Sequence, residues 1–96
     1  MATYVILTRF SERSFDDPKD FRKLADRVTD EIKKQCPNVR WKESYVTFGT
    51  YDVVDVVEAD DAAAVARAAM IIRGHAHATT ETLAAIPWKT FLDTLA

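Results

Sequence analysis

Tyr51 and Asp52 stand side by side where a strand is expected to begin. At the end of a cleft, this phenol and carboxylate would offer a ligand a hydrogen-bond donor and a proton acceptor. The same Asp52 carboxylate could instead hold Thr47 or turn amides and brace a hairpin. Asp55 lies among valines. Buried there without a partner, it would carry a raised pKa, a state met at catalytic sites. Lys42 and Arg9 are the partners expected to neutralise it. His75 and His77 are two residues apart, and on a strand their rings would share a face, a spacing that can chelate a metal. A third ligand is wanting, because Glu81 lies about 13 Å from His77 by strand rise. The two are therefore read as loop-end histidines, with an interface pH effect as a lesser role, and neither a metal site nor a cofactor is expected.

Tyr4, Trp41, Tyr45 and Phe48 could line an apolar pocket between sheet and helices, or serve packing alone. Cys36 follows a buried stripe and reads as an inert core thiol, since no cation or histidine is nearby in sequence to lower its pKa. Arg22, Lys23, Arg27, Lys33 and Lys34 are interspersed with acids and read as a solvated helix face.

These side chains need elements to position them. Ala2 to Phe10 is β-branched and aromatic, with apolar residues on both alternating faces, as in a strand covered on two sides. Asp17-Pro18 starts a helix, with Asp17 capping and Pro18 at the first helical position. Phe21, Leu24, Ala25, Val28 and Ile32 form its buried stripe. Val39 to Phe48 and Tyr51 to Glu58 read as strands around a Gly49-Thr50 turn, with Gly49 at positive φ. Asp60-Asp61 opens a second helix, whose mostly alanine face can lie close to a sheet and which Arg73-Gly74 is expected to end. His77 to Ile86 reads as a fourth strand, and Trp88 to Ala96 as a short helix.

The order β-α-β-β-α-β predicts an α+β fold, a four-stranded antiparallel sheet with both helices on one face and right-handed crossovers. The 96 residues form one domain, 1–96. Apolar residues make up 48% and charged residues 29%, a globular balance. A net charge of −2 argues against nucleic-acid binding. The RNA-recognition reading of the same element order fails as well, because it needs a basic, aromatic third strand where this one is acidic and aliphatic. No apolar run approaches a membrane span. A single Cys and no signal-peptide pattern lead to the expectation of a cytoplasmic protein.

The hairpin register bears on partners. A two-residue turn pairs Phe48 with Tyr51, Val46 with Val53 and Ser44 with Asp55 on one face. On the other it pairs Thr47 with Asp52, Tyr45 with Val54, Glu43 with Val56 and Trp41 with Glu58. Both faces carry large apolar side chains, and the helices cover only one. Either the C-terminal segment folds over the other or a second copy of the chain packs there. The segment is too short to cover a sheet, so a homodimer or higher homo-oligomer is expected.

Gly49-Thr50-Tyr51-Asp52-Val53-Val54, following Tyr45-Val-Thr-Phe48, resembles the Gly-x-Tyr-Asp signature of the GYD-domain family. The Val57-Glu-Ala-Asp-Asp61 step into an Ala-rich helix and Thr80-Glu-Thr-Leu83 are similar to it too, so the resemblance spans nearly the whole chain. It implies a ferredoxin-like fold assembled as a dimeric α/β barrel. Relatives of that wider group include cofactor-independent monooxygenases, haem proteins, isomerases and effector-sensing domains, a breadth that separates fold from function. Family members often carry Gly-Asn-Val-Arg before the last motif. Here Ala76-His77-Ala78-Thr79 stands in that place, so no role of that Arg carries over.

Two function classes follow. The first is a homo-oligomeric module for small-molecule binding, assembly or effector sensing, with Tyr45, Tyr51, Asp52, Asp55 and His77 as candidate ligand-binding residues. The alternative is a cofactor-independent enzyme, monooxygenase- or isomerase-like, acting on an aromatic or lipophilic metabolite in the sheet–helix cleft. No nucleophile with a paired base and no phosphate-cradling glycine loop marks a reaction.

Overall fold

A computed structural model describes residues 1–95, so Ala96, the end of the expected tail helix, lies outside the described residues. The elements are β1 (Ala2–Arg9), α1 (Pro18–Gln35), β2 (Arg40–Val46), β3 (Val53–Ala59), α2 (Ala62–Ala76), β4 (Thr79–Ala85) and α3 (Trp88–Leu92). The four-stranded antiparallel sheet runs β2-β3-β1-β4, the ferredoxin-like order. Both long helices start at acidic caps. The Asp17 carboxylate accepts from the Lys19 amide at 3.1 Å, and the Asp61 carboxylate from the Ala63 amide at 2.9 Å.

The core lies between α2 and one sheet face. Ile6, Val57 and Val65 are fully buried, joined by Ala59, Ala68 and Ile72. Alanines let α2 settle onto β3 and β4, whereas α1 packs on α2 and stands off from the strands. A cleft remains under α1. Phe10, Phe15 and Phe21 form a cluster with ring centroids 5.2–5.5 Å apart, and two of them, Phe10 and Phe21, line that cleft.

Three departures from the sequence reading bear on the site. The ladder between β2 and β3 ends at Val46–Val53, and Thr47 N–H closes the connection by donating to Asp52 O at 2.9 Å. Phe48 and Tyr51 thus belong to a longer loop rather than a paired two-residue turn, while Gly49 does take a positive φ of 152°. A second difference is an irregularity between Trp41 and Glu43. It pairs Trp41 with Val57 instead of Glu58 and turns the indole to the helix side of the sheet, away from Tyr45 and Val54.

The third concerns α2. It runs through Gly74 to Ala76, and β4 starts only at Thr79. A mid-helix glycine costs about 1 kcal/mol against alanine, and burial of Ile72 and Ala76 outweighs it. The chain leaves the helix at His77, which adopts the left-handed conformation (φ 49°, ψ 44°). Its carbonyl accepts from Ser11 Oγ at 2.5 Å. His75 is therefore helical and His77 a cap, so the two do not share a strand face.

Among the described residues, no helix lies over the far face of the sheet. Val5, Leu7, Val54, Val56, Tyr45 and Leu83 occupy it by strand alternation, with Tyr45 54% and Leu83 42% exposed. The described residues of the C-terminal segment do not fold back to cover it. Nor does α3 pack substantially on any other element, and Trp88 is 75% exposed.

Candidate functional site

The cleft under α1 encloses about 770 Å³, within the range of small-molecule pockets. Its walls are largely apolar, including Phe21, Val28 and Ile32 from α1's side and Val46 and Val53 from the sheet. β-alternation sets Ser44 and Asp55 opposite each other on the helix-facing side, and Ile6 of β1 pairs with Asp55 from the other flank. Asp55 is buried, 6% exposed.

Its partners are neutral. Ser44 Oγ donates to Asp55 Oδ1 at 2.6 Å, and Trp41 Nε1 donates to the same oxygen at 3.0 Å and to Ser44 Oγ at 3.0 Å. The expected cationic partners are elsewhere: Lys42 Nζ lies 3.9 Å from Glu58, which also meets Arg40 at 3.7 Å, and Arg9 is exposed. Without a cation, burial dominates and raises the Asp55 pKa above 3.8, although both hydrogen bonds pull it down. Thr8 shares this face, and its Oγ1 is buried without a hydrogen-bond partner among the described residues. Trp41 does line the cleft, as its sequence reading as a pocket residue allowed; its hydrogen bond to Asp55, and Thr8 altogether, escaped that reading, whereas Ser44 was legible from the hairpin register.

The other candidates lie apart. Asp52 Oδ2 accepts from the Phe10 amide at 2.7 Å, and the Asp52 amide donates to Thr8 O at 2.8 Å. The carboxylate thereby ties the loop start of β3 to the end of β1, through Phe10 rather than Thr47. Tyr51 Oη donates to Glu81 Oε1. That bond, then desolvation and the Glu81 charge, raise the Tyr51 pKa, with Arg9 opposing. The His77 imidazole is exposed, and among the described residues only its backbone carbonyl is hydrogen-bonded. Tyr45 borders the cleft from the far-face side, whereas Tyr4 packs on the core and Phe48 is 99% exposed. Burial raises the Cys36 thiol pKa, with Arg67 of α2 opposing, a cation that sequence proximity could not reveal. No group of three or more His, Cys, Asp or Glu among the described residues is placed to hold a metal, and none of their helices is long and apolar enough to cross a membrane.

A family model described as GYD domain matches residues 4–95. A relative from Thermus thermophilus, named glutamine synthetase and cystathionine beta-lyase binding protein, is 33% identical over 87 residues, covering 91% of this chain and 90% of that protein. Among solved structures, FFRP-DM1 is similar with a TM-score of 0.56 and 27% identity, over 90% of this chain and 100% of that one. The leucine response regulatory protein LrpA of Mycobacterium tuberculosis has a TM-score of 0.57 and 15% identity. The chain spans 51% of LrpA, and that likeness shows the fold alone.

Proposed function

This chain belongs to the GYD domain family, and on that premise we propose that it is a homo-oligomeric binding and assembly module. The observation that carries this reading is the uncovered apolar sheet face centred on Leu7, Val54 and Tyr45. Water contact with such a face is unfavourable by about 25 cal/mol per Å², and a second copy presenting the same face would remove it on both sides. Trp88 of the tail segment, 75% exposed, supplies further apolar surface. The name of the Thermus relative supports a role toward other proteins as well. A cytoplasmic setting fits a chain whose one cysteine, Cys36, is a buried free thiol.

Light scattering at micromolar concentration tests the assembly. The expected mass is at least twice the 10.9 kDa of one chain, and a monomer at 100 µM would overturn the reading.

The cleft favours a second reading, in which the module also takes a small molecule. Asp55 is then the residue in contact with ligand. Asp52, Tyr51 and His77 hold the loops around it, and Tyr45 belongs to both cleft rim and sheet face. As a cofactor-independent enzyme the same cleft would use Asp55 as its acid or base. Native mass spectrometry of cell-purified protein tests this: a copurified metabolite supports the reading, and solvent alone argues against it.

A further inference from the structure

Asp55 is half used. Both donors that reach it, Ser44 Oγ and Trp41 Nε1, go to Oδ1. No hydrogen bond among the described residues reaches Oδ2, although the side chain is buried and lines the cleft. Thr8 is 2% exposed, lines the same cleft, and has an Oγ1 with no hydrogen-bond partner among the described residues. The two residues are diagonal neighbours, since Thr8 pairs with Val53 and Asp55 with Ile6. Such neighbours lie about 7 Å apart at the backbone, and their side chains are closer. Leaving a buried polar group unpaired is unfavourable. Thr8 Oγ1 is such an atom, and with Asp55 Oδ2 also free of a hydrogen bond on the same wall, one partner in the cleft would serve both.

The chemistry of the pair defines that partner. Oδ2 of a carboxylate only accepts, while a threonine hydroxyl both donates and accepts. A ligand hydroxyl has one hydrogen and two lone pairs, so it satisfies both groups at once. An ether or a hydrocarbon gives Oδ2 nothing, and a ligand carboxylate would set two anions together. Phe10, Phe21, Val28 and Ile32 leave the rest of the ligand an apolar, partly aromatic surround.

We propose that the cleft between α1 and the sheet binds a small apolar molecule bearing a hydroxyl group, an alcohol or phenol, which donates to Asp55 Oδ2 and accepts from Thr8 Oγ1. This rests on the reading of the cleft as the small-molecule side of the module and specifies its ligand class.

The Trp41 indole N–H is a built-in reporter, because it bonds the opposite oxygen of the same carboxylate. The experiment follows its ¹⁵N–¹H resonance, identified against Trp88→Phe, in the full chain during titration with 2-naphthol or with 2-methoxynaphthalene. The naphthol is expected to shift the resonance to saturation, and the methyl ether to bind about tenfold or more weakly, the effect of one hydrogen bond to a charged group. Asp55→Asn retains an oxygen for Ser44 and Trp41 but puts an amide in place of Oδ2, and should weaken naphthol binding by a similar factor. Thr8→Val, an isosteric change, should weaken it severalfold while leaving the fold intact. Equal affinity for both probes would overturn the hydroxyl assignment yet leave an apolar cleft. No shift with either probe would remove the small-molecule reading with it. Light scattering on the same samples reports assembly separately, so loss of one does not imply loss of the other.

Discussion

The indole N–H of Trp41 donates to Oδ1 of Asp55 at 3.0 Å, across two strands whose register shifts between Trp41 and Glu43. Regular alternation would have placed Trp41 on the opposite side of the sheet from Asp55. The irregularity therefore supplies one of the two hydrogen bonds that make a buried carboxylate tolerable, and it also closes one wall of the cleft.

The raised Asp55 pKa links stability to pH. Between 3.8, its ordinary value, and the higher folded value, the folded state holds more proton than the unfolded one. Stability must then fall as pH rises through that window and level off above it. Asp55→Asn removes this contribution. Urea unfolding of both proteins from pH 3.5 upward should show the wild type losing stability relative to the variant until the folded pKa is passed. Parallel curves would show that Asp55 titrates normally.

Asp52→Ala leaves the Phe10 amide without its acceptor and unties the start of β3 from the end of β1. A half-buried hydrogen bond to a carboxylate is worth about 2 kcal/mol. The midpoint of urea unfolding should drop accordingly, and amide exchange at Phe10 should quicken. An unchanged midpoint would mean that the carboxylate has no bracing role.

His77 occupies the left-handed region, where a side chain costs about 1 kcal/mol that glycine avoids. His77→Gly should raise the Tm by several degrees, since the carbonyl that accepts from Ser11 is retained. A lower Tm would show that the imidazole itself contributes to folding.

Val54 pairs with Leu7 on one side and Tyr45 on the other, at the centre of the uncovered face. Val54→Lys places a charge there, where a self-complementary interface meets it twice. Sedimentation should show a monomer with unaltered circular dichroism. An intact oligomer would place the contact elsewhere.

Much of this molecule was legible in one dimension. Asp17-Pro18 and Asp61 mark helix starts because capping is local, and the alanine face of α2 announces a close approach because side-chain size is a property of the residue. Ser44 opposite Asp55 followed from counting back from the turn, since the intervening ladder is regular. Trp41 did not follow, because one extra residue in an edge strand flips its face at small local cost. Gly74 looked like a helix stop, but the burial of Ala76, a tertiary gain, carried the helix past it.

The sequence by itself determined the element order, the helix caps and a sheet with apolar residues on both faces, all consequences of local propensity and alternation. Tertiary structure alone decided which carboxylate is buried with neutral partners. That outcome depends on which strands flank β3, on one bulge, and on α1 standing off while α2 packs down, leaving Asp55 and Thr8 in the wall of the cleft. These are long-range placements, set by how whole elements share one core, and no stretch of neighbouring residues encodes them.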